Sequence, residues 1–170
     1  MVIVLITLVS VILIIAIYYI IKRIRRNAAL RILLRHSQKL TNKTLLQTLN
    51  DETQDYQQIF DYKNDLTSDP VQDIWGRGIM VFEYRMLLKA DHEDDARLFD
   101  QKFLRQFEAT LNKHALENGI ISSMPKYPPF IISDSWVLTG CFHLDIAFMT
   151  NKPTIEYVKD MRKADLEKLN

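Results

Sequence analysis

Cys141, His143 and Asp145 stand at alternate positions within WVLTGCFHLDIAFM (136–149), placing a thiol, an imidazole and a carboxylate two residues apart. On a strand, a period of two puts all three on one face, with neighbouring side-chain origins about 6.5 to 7 Å apart. A histidine that takes the thiol proton and an aspartate that orients the histidine make an activated thiolate, so these three are the candidate catalytic residues. The same residue types also bind zinc. Side chains on one strand face splay in parallel, however, whereas a triad needs groups converging from different elements, and the sequence offers no oxyanion donor or fourth ligand nearby. The plainer reading is the polar outer face of a sheet, with Glu83 and Arg85 as ordinary cross-strand partners of His143 or Asp145.

A second cluster, Asp91-His92-Glu93-Asp94-Asp95, reads as acids gathered at a helix start, where the positive end of the dipole favours them. No metal and no cofactor is assigned. The chain contains no phosphate-binding glycine loop, no dinucleotide fingerprint, no H-E-x-x-H, no C-x-x-C, no G-x-S-x-G and no internal repeat. Nucleic acid is disfavoured, because the basic patch is confined to the flank of one apolar run and residues 76–170, with 13 basic and 14 acidic side chains, are near neutral.

That patch follows the apolar run. Val2 to Ile21, VIVLITLVSVILIIAIYYII, has no charge before Lys22. As a helix it measures about 30 Å, the thickness of a bilayer core. Basic residues come after the run and no small-residue cleavage pattern closes it, so it reads as a retained anchor over 1–21 rather than a signal peptide. Positive flanks stay in the cytoplasm, which puts the N-terminus outside and the C-terminal domain inside the cell. Residues 1–50 carry eight Lys or Arg and no acid. Of these, Lys22, Arg23, Arg25, Arg26, Arg31, Arg35 and Lys39 are the candidate membrane-surface residues, on an amphipathic helix able to lie on anionic lipid. Thr41 and Asn42 are expected to cap a further helix to about Phe60, closing a juxtamembrane segment over 22–60. Residues 51–75 are acidic, and DYKNDLTSDPVQD inside them suggests a linker over 61–78.

Beyond the linker, residues 79–170 read as a cytoplasmic α+β domain. Ile79–Lys89 alternates as a strand, and its Met, Glu, Arg and Leu leave a helix as the other reading. A helix over about 92–118, capped by Asp91, carries Phe99, Phe103, Phe107 and Leu111 on one stripe. Three prolines restrict Phe130–Ser133 to a short edge strand. Trp136–Met149 is expected as one long strand, with Trp136, Leu138 and Phe142 on the packed face and the Cys141 row on the other. A closing helix, about 154–168, is expected to cover the packed side. The order is β-α-β-β-α, a small antiparallel sheet with helices on one face.

The expected function is a single-pass membrane protein whose cytoplasmic domain binds another protein without catalysing a reaction. A membrane-tethered enzyme using Cys141, His143 and Asp145 is the alternative from another class, and an anionic-lipid-sensing juxtamembrane segment is the third.

Overall fold

The computed structural model describes residues 2–62, 66–71, 78–89 and 96–168. The chain divides into two compact units, Met1–His36 and Ser37–Asn170.

From Val2 onward the first unit is helical, part of helix α1 (Val2–Leu49). Its apolar side chains from Leu8 to Ile21 are exposed on every side, from 46% at Ile21 to 66% at Ile14. Among the described residues no helix is long and apolar enough to cross a membrane. Described side chains begin at Leu8, and only fourteen positions separate that residue from the charge at Lys22. The full apolar run of the sequence also includes residues 2–7, where the backbone is helical.

The second unit is an α+β domain built on an antiparallel sheet. After α1 come a short helix α2 (Tyr56–Ile59), β1 (Phe60–Asp61), β2 (Ser68–Pro70) and β3 (Val81–Leu88). A 3-10 turn (Ala96–Phe99) leads into α3 (Gln101–Glu117), followed by β4 (Phe130–Leu138), β5 (Cys141–Phe148) and α4 (Lys152–Lys168). The sheet order is β1-β3-β5-β4, with β2 also paired to β3 and every pairing antiparallel.

One face of the sheet carries Phe82, Tyr84, Met86, Phe142, Leu144 and Ile146, all essentially buried. Helix α3 lies over it. Phe99 stacks on Phe142 at 4.2 Å between ring centres, and Phe60 and Phe103 complete the aromatic layer. Such offset and edge contacts add to the area each ring removes from water. The end of α1 covers the same face with Leu45 and Leu49, together with the small buried hydroxyls Thr41, Thr44 and Thr48. Each threonine donates to the carbonyl four residues back, at 2.9 Å. Buried hydroxyls are thereby satisfied without interrupting the helix.

Several expectations are corrected here. Thr41 and Asn42 do not cap a new helix; α1 runs through them to Leu49. Asn42 instead accepts from Tyr84 Oη (2.7 Å) and Ser68 Oγ (2.9 Å) and donates to the Leu66 carbonyl (3.2 Å). Part of the stretch read as a linker is therefore structure, since Ser68–Pro70 pairs with Phe82–Tyr84. Helix α3 starts at Gln101, where the Asp100 carboxylate accepts from the Phe103 amide at 2.8 Å. The cap expected at Asp91 and the acidic cluster through Asp95 lie outside the described residues.

The largest correction concerns 136–149. It is a hairpin, with β4 ending at Leu138, β5 starting at Cys141 and a two-residue turn at Thr139-Gly140. Both turn residues are left-handed, at φ 47° and 70°. That is the handedness of turn whose twist matches paired strands. Trp136 and Leu138 therefore pair across to His143 and Cys141, and share the Cys141 face instead of the packed one.

Helices also occupy both faces, not one. Helix α4 packs Ile155, Tyr157 and Val158 against Val81, Ile131, Ala147 and Met149, on the face that carries the Cys141 row. Asn151 fixes its start by accepting from the Thr154 amide at 3.0 Å. Thr154 Oγ1 in turn accepts from the Met80 amide at 2.8 Å, tying α4 to the head of β3.

A candidate binding face on the sheet

Helix α4 covers only the Ala147 half of its face. The other half is a grid set by strand register, three rows deep. Leu87, Cys141 and Leu138 form the outer row, Arg85, His143 and Trp136 the middle one, and Glu83, Asp145 and Asp134 the row next to α4.

The outer row is apolar, with Leu87 59% and Leu138 57% exposed. In the middle row the Trp136 ring stacks on the His143 ring at 4.8 Å and 14°. His143 Nδ1 pairs with Glu83 Oε1 at 2.9 Å, and Arg85 Nε donates to the same oxygen at 3.0 Å. Arg85 reaches further to Asp69 on β2, at 3.3 Å. Burial alone would raise the Glu83 carboxyl, but hydrogen bonds from Arg85 and His143 outweigh it and hold it below its ordinary range.

Asp145 is buried, and its Oδ1 has no hydrogen-bond partner among the described residues. Burial, with Glu83 and Asp134 on either side, pushes its carboxyl up to about 7. Tyr157 on α4 lies close enough to be raised in turn to about 12, first by its own burial and then by Asp145.

The three sequence candidates thus share one strand face as the period requires, yet they do not make a triad. The imidazole is bonded to Glu83, while Asp145 is flanked by acids. Burial pushes the Cys141 thiol up, and Glu83 adds to this against the opposing effect of Arg85. A thiol raised in this way is less ionised at neutral pH than a free one. Among the described residues no three His, Cys, Asp or Glu side chains are arranged to hold a metal ion.

No family model, no curated protein and no solved structure matches this chain. The reading therefore rests on the geometry.

Sequence reasoning missed Trp136, Leu138 and Asp134 as members of this face. The signal available was Thr139-Gly140, a small residue and a glycine between two alternating runs, which marks a two-residue hairpin loop. The membrane-surface candidates Lys22, Arg23, Arg25, Arg26, Arg31 and Arg35, together with Lys39, are all exposed along α1.

Proposed function

We propose that this chain is a single-pass membrane protein, N-terminus outside, that presents residues 37–170 in the cytoplasm as a binding module for another protein. One observation carries the reading: an apolar helix exposed on all sides runs directly into a block of cations. In water such a helix leaves every Val, Ile and Leu hydrated. In a bilayer each contributes roughly −0.3 to −0.6 kcal/mol near the centre, and the run from Val2 contains only Thr7 and Ser10 as polar members. Its length, about 30 Å, matches the hydrocarbon core. Tyr18 and Tyr19, next to the cations, suit the interface, with rings in the apolar layer and hydroxyls in the wet one. The flank of Lys22, Arg23, Arg25 and Arg26 favours the cytoplasmic side for everything after it.

The half-open sheet face supports the second part of the reading. It combines exposed leucines, a stacked tryptophan and aspartates without a cation partner among the described residues, a mixture suited to protein recognition. The raised Cys141 thiol gives no support to the enzyme alternative.

Alkaline carbonate extraction of membranes carrying the full chain tests the anchor, and protease digestion of sealed vesicles tests the orientation. The expected result is retention in the pellet, with residues 37–170 digested only when the cytoplasmic side is accessible. Release by carbonate refutes the anchor, and digestion from the opposite side refutes the orientation.

A further inference from the structure

The open half of the sheet face has an apolar end and an acidic end, separated by four residues of β5, about 13 Å. We propose that this face docks a protein segment bearing an apolar side chain and an arginine about 13 Å apart, with the guanidinium lodged between Trp136 and the acidic row. The inference rests on the binding-module reading above and names the chemistry of its partner.

Charge complementarity argues for the cation. Within the acidic row, Glu83 is already bonded to Arg85 and His143. Asp134 Oδ1 accepts from the neighbouring Ser135 amide. Asp145 is 6% exposed, and one of its oxygens is without a hydrogen-bond partner among the described residues. Among the described residues neither aspartate is paired with a cation. A buried carboxyl without a partner is costly, and neutralising it rewards whatever brings a positive charge to the row.

The class of cation follows from the neighbours. The carboxylates do not converge as metal ligands would. Trp136, 37% exposed, offers the rim of an aromatic stack, and a planar guanidinium both stacks on such a ring and forks to carboxylates. Leu87 and Leu138 at the far end then take an apolar anchor. On a helical partner, about 13 Å corresponds to eight or nine residues.

Proton linkage gives the proposal a signature. The groups facing Asp145 are Glu83 and Arg85 from β3, Asp134 from β4, His143 on β5 and Tyr157 from α4. Only Arg85 is a fixed cation, and it is spent on Glu83 and Asp69. A bound guanidinium favours the ionised Asp145, so affinity rises with pH as that carboxyl loses its proton.

The test uses the full chain carrying Trp75→Phe, so that Trp136 is its sole tryptophan, in phosphatidylcholine nanodiscs. The probe is a helical peptide of alanine and glutamine with one leucine and one arginine eight residues apart, and its control replaces arginine by neutral citrulline. Expected are a saturable change in Trp136 fluorescence, at least tenfold weaker binding of the citrulline peptide, and an affinity for the arginine peptide that rises from pH 5.5 to 8. Asp145→Asn is expected to abolish that rise. Equal affinity for the two peptides, or an unchanged pH profile in Asp145→Asn, overturns the proposal, as does the absence of any saturable response. A response to micromolar calcium or zinc in place of the peptide assigns a metal instead and also overturns it. Self-association by sedimentation without peptide, lost in Asp145→Asn, makes a second copy the occupant and overturns it likewise. Carbonate resistance of the same protein separates a failure here from a failure of the anchor.

Discussion

Asp145 makes the domain's stability depend on pH in a direction opposite to most carboxylates. The folded chain holds this carboxyl at about 7, against an ordinary value of 3.8, because burial and two acidic neighbours disfavour its charge. Between those limits the folded state keeps a proton that the unfolded chain has released. Stability from this group is therefore complete below about 4, declines as pH rises, and is gone above about 7. The span of about three pH units corresponds to about 4 kcal/mol at 1.36 kcal/mol per unit. That is a large part of a typical domain's 5 to 15 kcal/mol. Replacing Asp145 by Asn removes the titration and leaves a neutral side chain of the same shape. Urea unfolding of both proteins in zwitterionic micelles, followed by tryptophan fluorescence at pH 4.5, 6 and 8, reads the effect. The difference between the two isolates Asp145 from other carboxylates such as Asp51, held at about 2 mainly by hydrogen bonds from Thr53. Expected is an Asn variant that gains steadily on the wild type, by up to about 4 kcal/mol at pH 8. Parallel profiles for the two proteins refute the assignment.

Other outcomes follow from the same contacts. The outer edge of β4 is closed by α3: Asn112 both donates to and accepts from Phe130, at 2.9 Å each, and Glu108 accepts from the Ile132 amide at 2.8 Å. Asn112→Ala is expected to cost about 1 to 3 kcal/mol, two hydrogen bonds at the usual net value. The freed edge should also show concentration-dependent association by size-exclusion chromatography. Alkylation of Cys141 is expected to have its pH mid-point above 9.0, unchanged by His143→Ala and lowered by Glu83→Gln, because burial and Glu83 set the shift. Phe142→Ala removes the ring on which Phe60 and Phe99 stack, and is expected to lower the unfolding free energy by about 3 to 5 kcal/mol in the same urea assay. Exchanging Lys22, Arg23, Arg25 and Arg26 for Ala is expected to leave insertion intact but produce mixed orientations in the protease assay.

Much of the fold was legible because hydrophobic period reports burial. The alternation in β3 and the aromatic stripe of α3 put the right residues on the aromatic face, where Phe82, Met86, Phe107 and Leu111 are buried. Where the sequence misled, a polar residue had two possible jobs. Thr41 and Asn42 look like a cap. In place, the threonine hydroxyl bonds back along its own helix and the asparagine amide joins α1 to β2 and β3, long-range partners that local spacing cannot reveal. Asp91 looked like the start of α3, but Asp100 holds the cap nine residues later, after a 3-10 turn. The acidic stretch near Ser68 was equally opaque, since a three-residue edge strand carries no period of its own.

For the site, one turn decides the outcome. A strand read straight through Thr139-Gly140 gives Trp136 and Phe142 the same parity and the same buried face. Two left-handed residues fold the strand back on itself, and pairing then sets Trp136 opposite His143 and Leu138 opposite Cys141. That single reversal turns a row of three polar residues into a patch with an apolar end, an aromatic middle and an acidic end. The Cys141 row itself does not assemble a Cys-His-Asp triad. Glu83, sixty positions upstream, takes the imidazole Nδ1, the place the sequence row would give to Asp145. On the binding-module reading proposed above, Asp145 supplies the acidic end of this face, and Trp136 and Leu138 supply the surface a partner would cover.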